Sequence, residues 1–474
     1  MSFSSPGFIF AFMPVFFACY YVLPSAWRNG WLMLASLAFY SIDGGLATWV
    51  LIASIMVNYG IGLLIEGRSS RAQAALLLVI GIVLNLIPLL YYKYWNFLIS
   101  SANDVRGLAG IGGSFSLADI ALPAGISFFT FQGLSYIIDI YRRECRSART
   151  IVDFGMYHTL FPQLVAGPIV RYREVERTII NRPVAMDDVE QGILRFCIGL
   201  AKKIIIADSM GVVADSVFHL APGQLTMTAA WVGALAYTLQ IFFDFSGYSD
   251  MAIGLGKALG FRFPENFNQP YRSLSITEFW RRWHMTLSRW FRDYVYIPLG
   301  GNREGHGRTY FNLVVVFFLC GLWHGAAYTF ILWGLYHGAL LVAERARGGA
   351  LMARLPPVVS WALTLLLVIV GWVFFRAATL GQAVAFLKAM AGFGSPDAMF
   401  DLAIVLSPDK LLFFAIGWII ALWPAGYVLR MPGVVTLGDG PTRLLRQVGT
   451  LALFVYSAAL VATNGFNPFI YFRF

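Results

Sequence analysis

Charge is scarce in this sequence. Only 13% of its 474 residues are Asp, Glu, Lys or Arg, about half the share that soluble domains carry. That scarcity excludes the array of soluble domains that the length alone would suggest. Cysteine is scarce as well. Cys19, Cys145, Cys197 and Cys320 stand far apart and form no C-x-x-C. Neither a disulfide framework nor a thiolate metal site is expected from them; they read as small apolar packing residues. The six histidines include no H-E-x-x-H and no pair four apart, so the usual metal-ligand spacing is missing too. Low-complexity linkers, soluble insertions and clear internal repeats are also lacking.

What remains is hydrophobic: 58% of the residues are apolar. Apolar windows near the spanning length of roughly 20 residues recur from end to end. The chain therefore reads as an all-α, polytopic integral membrane protein, organised as one membrane domain over residues 1–474. The first apolar stretch, 6–23, has no basic leader and no A-x-A site, and reads as a retained helix. The net charge of +10 fits basic loops facing anionic lipid headgroups and not nucleic acid.

Spans are expected at 6–27, 30–42, 44–65, 72–92 and 120–138, with a kink near Asn85 and Pro88. Arg28 follows the first span, Arg68 and Arg71 the third, and Arg142, Arg143, Arg146 and Arg149 the fifth. The intervening loops, around 41–45 and 101–117, carry Arg106 as their one base. Basic loops inside then place the N-terminus outside. The next apolar piece, 154–170, holds Pro162, Gly167 and Pro168 between two basic flanks. A re-entrant or buried broken helix suits it better than a crossing.

Residues 188–220 are apolar but studded with Arg195, Lys202, Lys203, Asp208 and Asp215; such charges should face protein. A span at 226–243 runs into Asp244 and Asp250, either a water-facing terminus or part of a site. Between 262 and 308, bases and tryptophans interleave at near-helical spacing. They suggest an interfacial helix with its indoles at headgroup depth. Further spans are expected at 358–375, 411–429 and 448–462. Gly254, Gly256 and Gly260 sit beside Lys257 but match no phosphate-loop pattern; helix packing through small residues is the expected role.

The most informative residue is His324. It lies in a run, 309–343, with no Asp, Glu, Lys or Arg. An imidazole there is costly without a partner or a task. Both flanks of the run are basic, and its length exceeds one crossing. Two short crossings broken near 321–325 satisfy both, as would one long tilted helix. A core histidine donating to a carbonyl is one account of His324. The other is catalysis: Gly321 and Gly325 remove bulk beside the ring, and a neutral imidazole can take a hydroxyl proton and return it. His284 has the same two accounts, with an interfacial histidine among tryptophans as the plainer one. His337 would lie about 220 degrees round a continuous helix from His324, at roughly 100 degrees per residue. It reads as structural or surface, as do His158, His219 and His306.

Trp323-His324-Gly325 after an apolar run, with Glu278-Phe279-Trp280-Arg281-Arg282-Trp283-His284 upstream, resembles the membrane-bound O-acyltransferases. Further segments are similar to the bacterial alginate O-acetylation branch. They are Asp244-Phe245-Ser246-Gly247-Tyr248-Ser249-Asp250, Glu265-Asn266-Phe267-Asn268-Gln269-Pro270-Tyr271, Ser135-Tyr136-Ile137-Ile138-Asp139, Gly167-Pro168 and the closing Phe469-Ile470-Tyr471-Phe472.

The resemblance implies a ring of transmembrane helices, some broken or re-entrant, around a central tunnel. It implies His324 as the catalytic residue and His284 as a second important one, with Trp323 and Gly325 beside the site. No bound cofactor is implied. The implied donor is cytoplasmic acetyl-CoA, whose phosphates Arg281, Arg282, Arg289 and Arg292 would help hold; positive-inside anchoring accounts for these arginines equally well. Asp244 is a candidate to orient a histidine. The implied setting is the bacterial inner membrane. There, acetyl groups pass to an exported, alginate-like polysaccharide, directly or through a periplasmic acetyltransferase working with the export machinery. D-alanyl or another acyl transfer is the alternative within the family. Outside it, His324, Asp244 and Asp250 would form the proton relay of a transporter, against which the missing inverted repeat counts.

Overall fold

The computed structural model describes residues 2–352, 354–395, 405–423, 441–464 and 468–470. Among them all regular structure is helical. They group into two compact units: Met1–Glu190 with Leu255–Pro264, and Gln191–Gly254 with Glu265–Phe474.

The first unit holds α1 (Met13–Val22), α2 (Ser25–Gly44), α3 (Ala47–Glu66), α4 (Arg71–Leu89), α5 (Trp95–Leu108), α6 (Ile126–Tyr141), α7 (Ile151–Thr159), α8 (Phe161–Leu164) and α9 (Tyr172–Ile180). The break between the first two helices falls at Leu23–Pro24, where Pro24 lacks an amide hydrogen and cannot continue the ladder. The kink expected near Pro88 takes the form of a π-helical turn, Leu90–Tyr94, directly after it. The span expected at 120–138 is shorter than that: residues 111–123 are irregular. Helix α6 begins only after Gly125, whose φ of +73° suits a residue without Cβ.

The expected broken segment is real. Helix α7 ends at Thr159, Leu160 is extended, α8 lasts one turn, and every residue from Phe154 to Tyr172 is buried. Protein surrounds the interrupted backbone, which is the condition for tolerating it. A knot of rings (Phe8, Phe12, Phe16, Phe39 and Phe161) fills the space beside it.

The second unit holds α10 (Met186–Ala201), whose first residues belong to the first unit, then α11 (Asp208–Phe218), α12 (Met227–Ala258), α13 (Ile276–Arg282), α14 (Met285–Phe291), α15 (Gly305–His324), α16 (Tyr328–Ala343), α17 (Gly349–Met352), α18 (Pro357–Arg376), α19 (Leu380–Lys388), α20 (Pro408–Leu422) and α21 (Pro441–Asn464). Part of the span expected at 411–429 lies outside the described residues, as do the last two residues of the closing motif.

Helix α12 corrects one expectation. It does not end at Asp244 but continues to Ala258, 32 residues in all. Asp244 and Asp250 are thus helix-interior residues, and each has cationic partners. Asp250 meets Arg195 at 2.8 Å and Lys202 at 2.6 Å; Asp244 meets Lys203 at 2.9 Å. The helices that carry these pairs touch through glycine. A Cβ on Gly199 would lie 2.5 Å from the Gly247 carbonyl, and one on Gly254 would lie 2.5 Å from that of Gly192. The close approach of two backbones lets short carboxylates reach lysine across the seam.

Among the described residues four helical stretches are long and apolar enough to cross a bilayer: Ala47–Glu66, Arg71–Leu108, Pro357–Arg376 and Arg443–Thr463. Leu76, Val79, Val83 and Ile87 on α4 are exposed, a surface suited to lipid and not to water. This is a multi-pass membrane protein.

Candidate active site

The run around His324 folds as two helices and not one. Helix α15 ends on His324 itself, Gly325 is extended (φ −163°, ψ 152°), and α16 starts at Tyr328. The two helices pack through Gly321 and Gly334: a Cβ on either would lie 2.3 or 2.2 Å from a carbonyl oxygen of the facing helix. The turn is therefore tight and the imidazole is delivered at a helix terminus. The space beside the glycines is not open, contrary to expectation. At Gly321 it is filled by the Phe330 backbone, and at Gly325 by the Phe330 ring, 2.2 Å from where a Cβ would stand. Gly325 serves the close approach of Phe330 and not that of a substrate.

His324 is 3% exposed and enclosed by rings. Trp323 lies 4.9 Å away, Trp333 5.0 Å and Phe375 5.1 Å, all near perpendicular. His284 completes the group, its ring centroid 6.5 Å from that of His324. Trp323 touches both histidines, at 4.9 and 5.9 Å. The two residues singled out in the sequence thus share one buried enclosure.

The interfacial helix expected over 262–308 is not continuous. Two seven-residue helices, α13 and α14, meet at Trp283 and His284, and His284 adopts φ +42°. Trp280, Trp283 and Trp290 are buried in the protein and do not present their indoles at its surface. The kink turns the His284 ring into the protein, where it is wholly buried and packed edge-on against Phe245, 4.6 Å away.

His284 Nδ1 is 3.1 Å from Asn266 Oδ1, an atom that also accepts from the Thr286 amide (3.3 Å) and hydroxyl (2.9 Å). The Asn266 amide nitrogen donates to Ser249 Oγ, 3.1 Å away. The main chain fixes the loop: Met285 N donates to Asn266 O, and Asn268 N to Arg282 O, both at 2.9 Å. Glu265 is tied to Arg195. Asn266, Thr286 and Ser249 come from three separate segments, so no spacing in the chain announced them.

Asp244 does not orient a histidine. Its carboxylate meets Lys203 Nζ and accepts from the Ile470 amide at 2.7 Å; the oxygen that orients His284 belongs to Asn266. His337, on α16, is 5.2 Å from Trp333, which in turn contacts His324. Its Nδ1 accepts from Trp280 Nε1 at 3.3 Å, so it is a buried wall residue. His158 is buried and bonded to Ser54 at 2.9 Å; His219 and His306 are exposed.

The arginines divide. Arg281 is exposed. Arg282 pairs with Glu278 at 2.7 Å, Arg289 Nε reaches the Met285 carbonyl at 3.4 Å, and Arg292 pairs with Asp293 at 2.6 Å.

The MBOAT, membrane-bound O-acyltransferase family matches residues 144–380. The probable alginate O-acetylase AlgI of Pseudomonas putida is 41% identical over 498 residues, covering 100% of both chains. This chain belongs to the membrane-bound O-acyltransferase family. It is an O-acyltransferase, and His284, Trp323, His324 and Gly325 fall inside the matched segment. The peptidoglycan O-acetyltransferase of Helicobacter pylori is 38% identical, covering 82% of this chain and 80% of that one. The teichoic acid D-alanyltransferase of Bacillus subtilis is 32% identical over 43% of this chain and 54% of its own. The membrane-bound O-acyltransferase similarity thus spans the whole chain in one branch and narrows in another.

Proposed function

We propose that this enzyme is an inner-membrane O-acetyltransferase. It takes acetyl groups from cytoplasmic acetyl-CoA and serves the O-acetylation of an exported, alginate-like polysaccharide. The acceptor is the polysaccharide itself or a periplasmic acetyltransferase that completes the transfer. In this reading the N-terminus is periplasmic, residues 1–474 act as one membrane domain, and the two substrates approach His324 from opposite faces.

A single observation carries the reading: two histidines, His324 and His284, face a common buried enclosure lined by rings. Dry surroundings strengthen every electrostatic interaction that forms there and exclude hydrolysis of the thioester. His324 accepts the proton of the incoming hydroxyl, whose oxygen attacks the acetyl carbonyl. The C–S bond breaks as the C–O bond forms, and the proton passes to the sulfur so that CoA leaves as the thiol. A variant of the same chemistry places the acetyl group on the imidazole first. Arg281, exposed and three residues before His284 in the chain, is the one of the four arginines assigned here to meet a CoA phosphate. Identity to acetyl-transferring relatives over the whole chain supports acetyl over D-alanyl as the group moved.

The test is complementation of a strain lacking this chain, with acetyl esters on the exported polysaccharide read by NMR. The wild type restores them. His324→Ala, present in the membrane at equal amount, does not. Normal acetylation by His324→Ala, or label arriving from D-alanine in place of acetate, overturns the reading.

A further inference from the structure

The Asn266 side-chain amide meets three residues on two other segments of the second unit: Ser249 on α12, and His284 and Thr286 at the start of α14. The backbone N–H of Thr286 can only donate. The Asn266 atom it meets at 3.3 Å is therefore the oxygen, and the amide nitrogen is the atom facing Ser249 Oγ at 3.1 Å. That settles which way the amide points, an assignment that shape alone leaves open. An amide oxygen only accepts. His284 Nδ1, 3.1 Å from it, must then be the protonated nitrogen. In a neutral imidazole the proton on one nitrogen leaves the other with a lone pair. His284 Nε2 is the acceptor atom of that ring.

We propose that Asn266 is a positioning residue for acyl transfer. It holds His284 in the Nδ1–H tautomer, so that His284 acts in the enclosure as a hydrogen-bond acceptor and not as a donor to the oxyanion. The inference rests on the reading above that His324 and His284 form the acyl-transfer site. Its chemistry follows from the two rings together. As the hydroxyl oxygen attacks and its proton passes to His324, negative charge develops on the acetyl carbonyl oxygen, for which a neutral His284 Nε2 offers no stabilisation. His284 instead receives a hydrogen bond from His324, whose ring centroid is 6.5 Å away, and so steadies the imidazolium that forms when His324 takes the hydroxyl proton. The other rings that meet His284, those of Phe245 and Trp323, bring no titrating group. The loop is braced for this task. Asn266 O takes the Met285 amide on the far side of His284, while Glu265 is locked to Arg195.

The experiment uses the full chain in detergent micelles with 15N-labelled histidine rings. The His284 signals are assigned by their loss in His284→Gln. The expected spectrum shows a protonated Nδ1 and an unprotonated Nε2 at His284. Asn266→Asp, which keeps an accepting oxygen, preserves that pattern. Asn266→Leu loses it and acetylates on the order of a hundredfold more slowly, since a misplaced group at a reacting centre costs about that much. An Nε2–H tautomer in the wild type overturns the proposal. So does an Asn266→Leu chain that loses the tautomer but keeps full activity. Should Asn266→Leu not fold, the wild-type and Asn266→Asp spectra still decide it. Full acetylation by His284→Gln would instead sink the catalytic reading of the site, and that result is separate from the tautomer read by NMR.

Discussion

Lys203 Nζ stands 2.9 Å from Asp244 Oδ1 and 2.6 Å from Asp208 Oδ1, with Lys203 and Asp244 almost entirely out of contact with solvent. One ammonium therefore serves two carboxylates in the interior of the second unit. The same Asp244 accepts from the Ile470 amide, and Phe469 stacks on Tyr248 at 4.6 Å. The cluster thus ties α12, the start of α11 and the segment 468–470 together. Removing one member of a buried charged set costs more than the set contributes net, because the survivors stay desolvated. Lys203→Met should lower stability by about 3–5 kcal/mol, and Lys203→Arg by far less. Thermal unfolding in detergent, followed by tryptophan fluorescence, checks this. An unchanged midpoint for Lys203→Met would show that the cluster does not hold the unit together.

Gly325 offers a second prediction. A Cβ at this position would overlap the Phe330 ring at 2.2 Å. Phe330 packs on Phe375 at 4.9 Å, and Phe375 packs on His324 at 5.1 Å. Gly325→Ala should push this chain of rings towards the imidazole. Acetylation should fall on the order of tenfold or more, since small misplacements at a reacting centre are costly. The double variant Gly325→Ala, Phe330→Leu should recover part of the loss, because the overlapping edge is gone. Failure of Phe330→Leu to rescue would mean that Gly325 acts through its backbone alone.

The sequence made the all-helical membrane class legible, and the physical reason is plain: charge scarcity and apolar windows depend on composition and not on tertiary contacts. The break at His324 was legible as one of two readings, because two basic flanks around one overlong run suit two short crossings as well as one long tilted helix. What could not be read was anything set by packing between distant segments. The α12 extension past Asp244 looked like a terminus because carboxylates usually mark one; Lys203, Lys202 and Arg195 neutralise them from another helix. The tryptophans of α13 and α14 matched an interfacial pattern, yet a left-handed residue at His284 turns that face inward. His337 was placed by the geometry of a continuous helix that does not exist. Asn266 was visible only as part of a motif, since Ser249 and Thr286, the partners that orient its amide, are far from it in the chain.

Arg281 and Arg282 yield a prediction that separates binding from anchoring. Arg282 already shares a surface ion pair with Glu278, worth only about 0.3–0.5 kcal/mol in such a setting. Replacing both arginines with Gln should therefore leave the unfolding midpoint nearly unchanged. If they hold CoA phosphates, KM for acetyl-CoA should rise on the order of tenfold, and the rise should shrink as salt increases, because screening weakens the same contact in the wild type. Kinetics at two ionic strengths supplies the check. An unaltered KM at both would assign these residues to membrane anchoring.

The last prediction concerns the first unit, where Asn58 and Asn85 exchange amide hydrogen bonds of 3.0 and 2.8 Å in a fully buried setting. The pair joins α3 to α4, and Asn58 reaches on to Ser54, which bonds His158 on α7. Room for it comes from α6: a Cβ on Gly133 would lie 2.6 Å from the Asn58 amide nitrogen. A buried amide that loses its partner bears its full desolvation cost, about 1–3 kcal/mol, whereas replacing both partners by apolar groups of similar shape is close to neutral. Asn85→Leu alone should therefore destabilise the protein by about 1–3 kcal/mol. Adding Asn58→Leu should not add a second loss of the same size, and the coupling between the two sites should be of opposite sign to the single effects. Unfolding midpoints of the wild type, the two single variants and the double variant in one detergent give that coupling directly. Strict additivity would mean that the two amides, though 3 Å apart, stabilise the helices independently through packing.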